Sequence, residues 1–344
     1  MKESVRIGFV GCGTHATNNL YPMLRYARCT LEAVCDLDGN LAARNARIFG
    51  APRHYTDAGK MLKDGGLDGV MVVGPFQMHY DVGMAVLERG LPLFVEKPPA
   101  PDLVRTREMV ALARKKNTFI MPGFMKRHGI PYAKARRMIQ QGEFVPAMGF
   151  FKYGHWAMHG LGLLYTMSSH PIDLAISYFG EPKSVVSRMY DSGRTLSLAV
   201  TITFTDGKIA QLMLDASQPR IQERVELSGT MNGGNALIVA DNVCHMELHK
   251  EGRDGTDVVV PSLPEINPDF DLGDISIWRP DYGIPNMGQT RHFFQGFAGE
   301  VREFVDAILE NREPYPGTDD CLKAMRVIEA IMLNPNGQVD LVSD

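Results

Sequence analysis

At 344 residues the chain exceeds what one hydrophobic core usually serves, so two domains are the expectation. With 44% hydrophobic and 22% charged residues and a formal net charge of −4, the composition is that of a globular protein. It excludes a disordered or low-complexity chain and, since Lys and Arg gather no further than Arg114-Lys115-Lys116, a general nucleic-acid surface. The five cysteines are scattered and never paired as C-x-x-C, and no apolar stretch is long enough to span a bilayer. With a strand starting too early to leave room for a leader, a reducing, cytoplasmic setting and a small-molecule partner are expected.

Taken in chain order, Val5–Val10 predicts a strand, followed by a glycine turn and a helix over Ala16–Ala27. Leu31–Cys35 predicts a second strand and Leu41–Phe49 a helix. Gly66–Val73 and Leu91–Val95 are strands separated by a helix over Tyr80–Arg89. Asp102–Lys116 is a helix with Asp102 as N-cap, and Thr118–Met121 a closing strand. Strands alternating with helices imply a parallel, doubly wound α/β sheet with right-handed crossovers. Beyond Pro122 the pattern changes: a helix over Pro131–Gln141, a strand over Ala147–Tyr153 and a helix over Leu163–Phe179. Strands follow at Lys183–Tyr190, Leu196–Thr203, Lys208–Ala216, Arg224–Ser228 and Cys244–Lys250, with Thr205-Asp206-Gly207 as a hairpin turn. Pro261–Gly288 reads as a long loop, and Glu300–Glu310 and Leu322–Leu333 as closing helices. The expected organisation is a nucleotide-binding Rossmann domain over residues 1–122 and an α+β domain with a large, mostly antiparallel sheet over residues 123–344.

The chemistry begins at the first turn. Gly11, Gly13 and Ala16 form G-x-G-x-x-A between a strand and a helix. The first glycine permits the tight turn, the second lets backbone approach a pyrophosphate, and the small third residue lets helix pack on strand, with helix N–H groups facing the phosphates. Asp36 closes the second strand, where a carboxylate accepts from the adenosine ribose hydroxyls and repels a 2′-phosphate. With Leu37 beside it and no base before Arg44, NAD is favoured over NADP. Helix capping, the alternative role for Asp36, can be filled by Asp38 or Asn40. Val95-Glu96-Lys97-Pro98-Pro99 ends the strand Leu91–Val95 at the crevice edge of such a sheet, aiming Lys97 at the cofactor.

In this order, the glycine turn, Asp36, Val73-Gly-Pro-Phe-Gln-Met-His79, Glu96-Lys97-Pro98, Gly123-Phe-Met-Lys-Arg127 and His170-Pro-Ile-Asp173 resemble the glucose-fructose oxidoreductase, inositol dehydrogenase and MocA (Gfo/Idh/MocA) family over nearly the whole chain. The resemblance implies hydride transfer between a nicotinamide and a sugar-like carbon. It also implies a C-terminal sheet whose outer face forms homodimers or homotetramers. Thr14, His15, Pro75, His79 and Glu96 then join Gly11, Gly13, Ala16, Asp36 and Lys97 as cofactor contacts. The lysine of E-K-P and the histidine of D-x-x-x-H flank the substrate hydroxyl in that family, which selects Lys97 and His170 as catalytic residues. Thr166 stands where the family has its aspartate and cannot act as a carboxylate.

Oxidising an alcohol requires a base within about 2.6–3.2 Å of its hydroxyl. His170 starts near about 6.5 and Lys97 near about 10.4, so His170 is taken as the acid or base and Lys97 as polariser and proton partner, with the reverse open. Lys126, Arg127, Tyr153, His155, Trp156, Thr166, His170 and Asp173 are the candidate substrate contacts, and Tyr282, Arg291 and His292 further ones. His155 and His159 lack the glutamate and third ligand of a zinc site, so no metal is expected. Three functions compete: an NAD-dependent dehydrogenase of a sugar, cyclitol or glycoside; a glycoside-cleaving enzyme using transient oxidation and elimination; and a non-catalytic NAD sensor.

Overall fold

The computed structural model describes residues 3–154, 160–251, 274–279 and 290–341. The chain forms two compact units, which interleave along the sequence: residues 1–129, 161–173 and 288–333 make the first, and residues 130–160, 174–287 and 334–344 the second.

In the first unit six strands, β1 (Val5–Val10), β2 (Cys29–Cys35), β3 (Arg53–Tyr55), β4 (Gly69–Val72), β5 (Leu93–Val95) and β6 (Ile120–Pro122), form one sheet in the order β3-β2-β1-β4-β5-β6. Every pairing is parallel. This is the doubly wound order with its switch point between β1 and β4, where such sheets bind ligands. The inner strands are apolar on both faces because helices cover both. Asp38 caps α1 (Gly39–Phe49), accepting from the N–H groups of Asn40 and Leu41. Asp102 caps α4 (Leu103–Lys115) as expected, accepting from the Arg105 N–H. The short β3 and α2 (Ala58–Asp64) are additions to the predicted elements, and α3 runs over Phe76–Glu88.

The expected helix over Ala16–Ala27 is instead a π-helical turn, Ala16–Leu20, followed by a 3₁₀ segment, Tyr21–Tyr26. Pro22 has no N–H to continue an α ladder. Tyr21 stacks at 4.0 Å on Phe9 of β1, which fixes this irregular segment against the core.

The second unit holds α5 (Ile130–Gln140) and a nine-stranded sheet built mainly from β7 (Val145–Gly154), β8 (Pro182–Asp191), β9 (Leu196–Phe204), β10 (Ile209–Asp215), β11 (Gln222–Met231), β12 (Gly234–Asp241) and β13 (His245–Lys250). β7 and β10 pair in parallel and the other strands antiparallel. Alternation buries Leu198, Val200, Ile202 and Phe204, and Phe179 stacks on Phe204 at 5.3 Å. Met148, Ile209 and Met213 stay exposed.

Three expectations are corrected here. The helix over Leu163–Phe179 is two helices, α6 (Gly162–Thr166) and α7 (Ser169–Phe179). Pro171 cannot donate to the carbonyl of Met167, and the His170 N–H donates there instead. The long loop contains a strand, β14 (Ile275–Trp278), and its remaining residues lie outside those described apart from 274 and 279. β12 and an edge strand, β15 (Gln338–Asp340), also extend the sheet beyond the predicted strands. The last helices, α8 (Thr290–Gln295), α9 (Phe297–Glu310) and α10 (Thr318–Leu333), return to the first unit, where α10 packs on α4 and β6. No helix among the described residues is long and apolar enough to cross a membrane.

Candidate active site

The cradle is built by backbone. Gly11 has φ +107°, and a Cβ there would stand 1.9 Å from the Val73 carbonyl, so only glycine lets the turn pass under the end of β4. Around it lies a hollow of about 490 Å³ lined by Gly11, Gly13, Asp36, Leu37, Pro75 and Met78, among others. The Asp36 carboxylate accepts from the Cys12 N–H at 2.7 Å and the Asp38 N–H at 2.9 Å. The following helix is capped by Asp38, so Asp36 keeps free lone pairs toward the hollow. Arg44, the first base after Asp36, donates to the Cys12 carbonyl and to Asn45 behind the turn. A dinucleotide fits this arrangement, and Asp36 without a competing cation suits an unphosphorylated ribose.

His79 is buried. It accepts from the Gly74 N–H through Nε2 and therefore donates through Nδ1 to the Pro98 carbonyl at 2.8 Å. It braces the loop after β4 against the Glu96-Lys97-Pro98 turn. Gly13, Thr14, His15, Ala16, His79, Glu96 and Lys97 line a smaller hollow of about 350 Å³, which continues the cradle.

A further pocket of about 600 Å³ shares Thr14, His15, Glu96 and Lys97 with that hollow and adds Met167, His170, Arg291 and Gln295. Lys97 is partly open to it and donates to the backbone carbonyl of Thr166. Burial pulls the Lys97 ammonium below the usual lysine range; Glu96 and Glu300 oppose this and Lys126 adds to it. His170 is 4% exposed, its Nδ1 has no partner among the described residues, and burial with the charges of Lys97 and Lys126 holds it well below the usual histidine value. It is a neutral ring at neutral pH. Burial pushes the Glu96 carboxyl up, but the hydrogen bond with His15 and the charge of Lys97 outweigh it, so Glu96 lies below the usual glutamate range and is ionised.

Other expected residues are placed differently. Thr166 meets the site through its carbonyl, while its hydroxyl donates back to the Gly162 carbonyl at 3.1 Å. Arg127 and Asp173 are not open substrate contacts: both are buried and bonded to each other at 2.8 and 2.6 Å, and Arg127 also pairs with Asp320 at 3.1 Å. Burial opposes the Arg127 charge, but Asp173 and Asp320 outweigh it. Lys126 is buried near the site, its charge felt by both Lys97 and His170. Tyr153 is buried in the second unit, its phenol raised by burial and the Glu223 charge. His155, Trp156, His159 and Tyr282 lie outside the described residues. Arg291 lines the pocket and donates to Asn19 at 3.2 Å, and His292 bonds the Asn18 carbonyl.

One site residue was missed. Glu300 of α9 is fully buried and both of its carboxyl oxygens lack partners among the described residues. Burial, followed by the Glu96 charge, raises it well above the usual glutamate range, although Lys97 opposes this. An acid near a helix start ordinarily reads as an exposed complement to the helix dipole. Its spacing between Phe297 and Phe304, on the apolar stripe, was the available signal.

Residues 5–124 match the model of an oxidoreductase family with an NAD-binding Rossmann fold, and residues 148–339 that family's C-terminal alpha/beta domain. The chain belongs to the Gfo/Idh/MocA oxidoreductase family. It is 28% identical over 198 residues, 54% of this chain and 57% of the relative, to scyllo-inositol 2-dehydrogenase (NAD(+)) of Bacillus subtilis. The chain spans about half the length of the curated relatives it first matches. Its fold is similar to that of a dehydrogenase from Chromobacterium violaceum, with TM-score 0.83 and 24% identity, covering 96% of this chain and 95% of that one. It is likewise similar to levoglucosan dehydrogenase in complex with NADH and L-sorbose, with TM-score 0.80 and 17% identity over the full length of both chains.

Proposed function

We propose that this family member is an NAD-dependent dehydrogenase that oxidises a secondary hydroxyl of a sugar, cyclitol or glycoside, or reduces the corresponding ketone. The observation that carries the reading is a partly open lysine, Lys97, beside a buried neutral His170 in a pocket continuous with the Gly11–Asp36 cradle. Bound NAD supplies the hydride acceptor. The protein supplies everything that concerns the proton.

His170 in this environment holds a proton too weakly to be an effective base. Lys97, lowered from its usual range and anchored through one N–H to Thr166, presents its amine to the hydroxyl. Lys97 therefore removes the proton and His170 orients the hydroxyl by a hydrogen bond, the reverse of the order first favoured from sequence. Of the expected substrate contacts, His170 and Lys126 remain in this role, and the second unit serves substrate binding and assembly in this reading. The exposed Met148, Ile209 and Met213 on the outer sheet face support self-association as a dimer or tetramer, to be tested by light scattering. A cytoplasmic location belongs to the same reading.

The deciding assay follows NADH with saturating NAD and a panel of polyols, cyclitols and glycosides, with chromatography of the products. NADH equal to the oxidised product is expected. Glycoside cleavage without NADH accumulation would replace this reading by transient oxidation and elimination, and tight NAD binding with no chemistry would leave a sensor. For the dehydrogenase, kcat/KM for oxidation should rise with pH through a step below the usual lysine value of about 10.4.

A further inference from the structure

His15, Glu96 and Glu300 form a set that the Lys97–His170 reading does not use. Phe297, at the start of α9, meets the His15 ring edge-on at 5.8 Å, and Phe304, two turns on, meets Phe94 at 5.9 Å. Glu300 lies between them on the same face, three residues after Phe297 and four before Phe304, and so between the His15 and Phe94 contacts, where the charges of Glu96 and Lys97 act on it. A Cβ on Gly296 would stand 1.9 Å from the Met125 carbonyl, so a glycine there lets α9 begin against the turn at residues 125–128.

Two carboxyls in one buried site do not both ionise readily. Their surroundings are unequal. Glu96 receives the Lys97 backbone N–H at 3.1 Å and sits 3.1 Å from His15 Nε2. Glu300 receives nothing from the described residues. The roles in the chain leading to Glu96 are fixed at its far end: Arg291 can only donate, so Asn19 turns Oδ1 to it at 3.2 Å and Nδ2 to His15 Nδ1 at 3.1 Å. His15 must then donate through Nε2 to Glu96. Among the described residues, the other charged or titratable groups nearby are His79 of α3, Lys97 at the end of β5, Lys126 and His128 of the turn against which α9 starts, His170, and Arg291 and His292 of α8.

We propose that His15, held by Asn19 and Arg291, is a positioning residue: by donating to Glu96 it keeps the single negative charge of the Glu96–Glu300 pair on Glu96, beside Lys97, and leaves the proton on Glu300. The inference rests on the dehydrogenase reading for its role in turnover. It places a charge partner for Lys97 in a chain where Thr166 replaces the family aspartate. His15 is 48% exposed at its side chain, so it can be substituted without opening the core.

The test has two arms. Infrared spectra of the cofactor-free protein at neutral pH should contain a protonated-carboxyl band that Glu300→Gln removes and Glu96→Gln does not. Turnover is then compared for His15→Leu and His15→Gln, since a glutamine amide can still donate to Glu96. His15→Leu should lower kcat/KM by about tenfold to a hundredfold and move its pH profile, and His15→Gln should recover most of both. A native spectrum whose acid band survives Glu300→Gln overturns the proposal. So does a His15→Leu enzyme with an unmoved pH profile. Native protein that forms no NADH with any polyol removes the dehydrogenase reading and the proposed role in turnover, while the infrared arm still decides the placement of the charge.

Discussion

Two clusters of buried charge in the first unit are built in opposite ways. Around Arg127 the guanidinium meets Asp173 with two hydrogen bonds, reaches Asp320 with a third nitrogen and lies 4.8 Å from the centre of the Tyr315 ring. Around Lys97, His170 Nδ1 and both oxygens of Glu300 have no partner among the described residues, and a pocket opens beside them. Buried polar groups are nearly always paired. Completed pairing marks Arg127 and Asp173 as a brace between the 125–128 turn and the start of α7, whereas missing partners beside an open pocket are what the proposed substrate site requires. Residue type alone did not separate the two clusters.

The contrast can be broken by substitution. Lys97→Met should lower kcat/KM by about 10²–10⁴-fold while leaving the protein folded and able to bind NAD, measured by turnover and calorimetry. Retained turnover would remove Lys97 from the chemistry. Arg127→Ala should instead appear in stability, at about 3–5 kcal/mol in urea unfolding, because it leaves buried carboxylates without their cation. A stable Arg127→Ala protein with a specific loss of substrate affinity would move Arg127 back into the binding site.

Asp36→Ala should weaken NAD by roughly 1–3 kcal/mol and narrow its preference over NADP, measured by calorimetry with both cofactors. No change in either would detach Asp36 from the ribose. The smallest effect concerns Glu300. Its folded value lies well above the usual one of about 4.3, so over that interval the folded form holds a proton the unfolded chain has released. Its contribution is complete below the unfolded value and is lost as pH rises toward the folded one. The stability of the native protein relative to Glu300→Gln should therefore fall with rising pH across this window, and parallel curves would contradict the buried acid.

Much of this was legible in the residues. The strand-and-helix order of the first unit, the glycine turn, Asp36 after β2 and Lys97 after β5 follow from local pattern and placement at strand ends. The returns of residues 161–173 and 288–333 to the first unit were not legible, because they depend on tertiary packing. Short elements such as β3 carry too few residues for a period to emerge. The π and 3₁₀ turns after Ala16 and the break before α7 follow from Pro22 and Pro171, whose missing N–H groups were there to be read. Arg127, Asp173 and Glu300 needed the partner inventory that only coordinates supply.

The most direct measurement of the central claim uses a polyol substrate carrying deuterium on the carbon to be oxidised, with native enzyme and NAD, followed by mass spectrometry of cofactor and product. One deuterium appearing in NADH for each ketone formed is the predicted result. Deuterium released to water, with none in the cofactor, would contradict hydride transfer at the Lys97–His170 pocket.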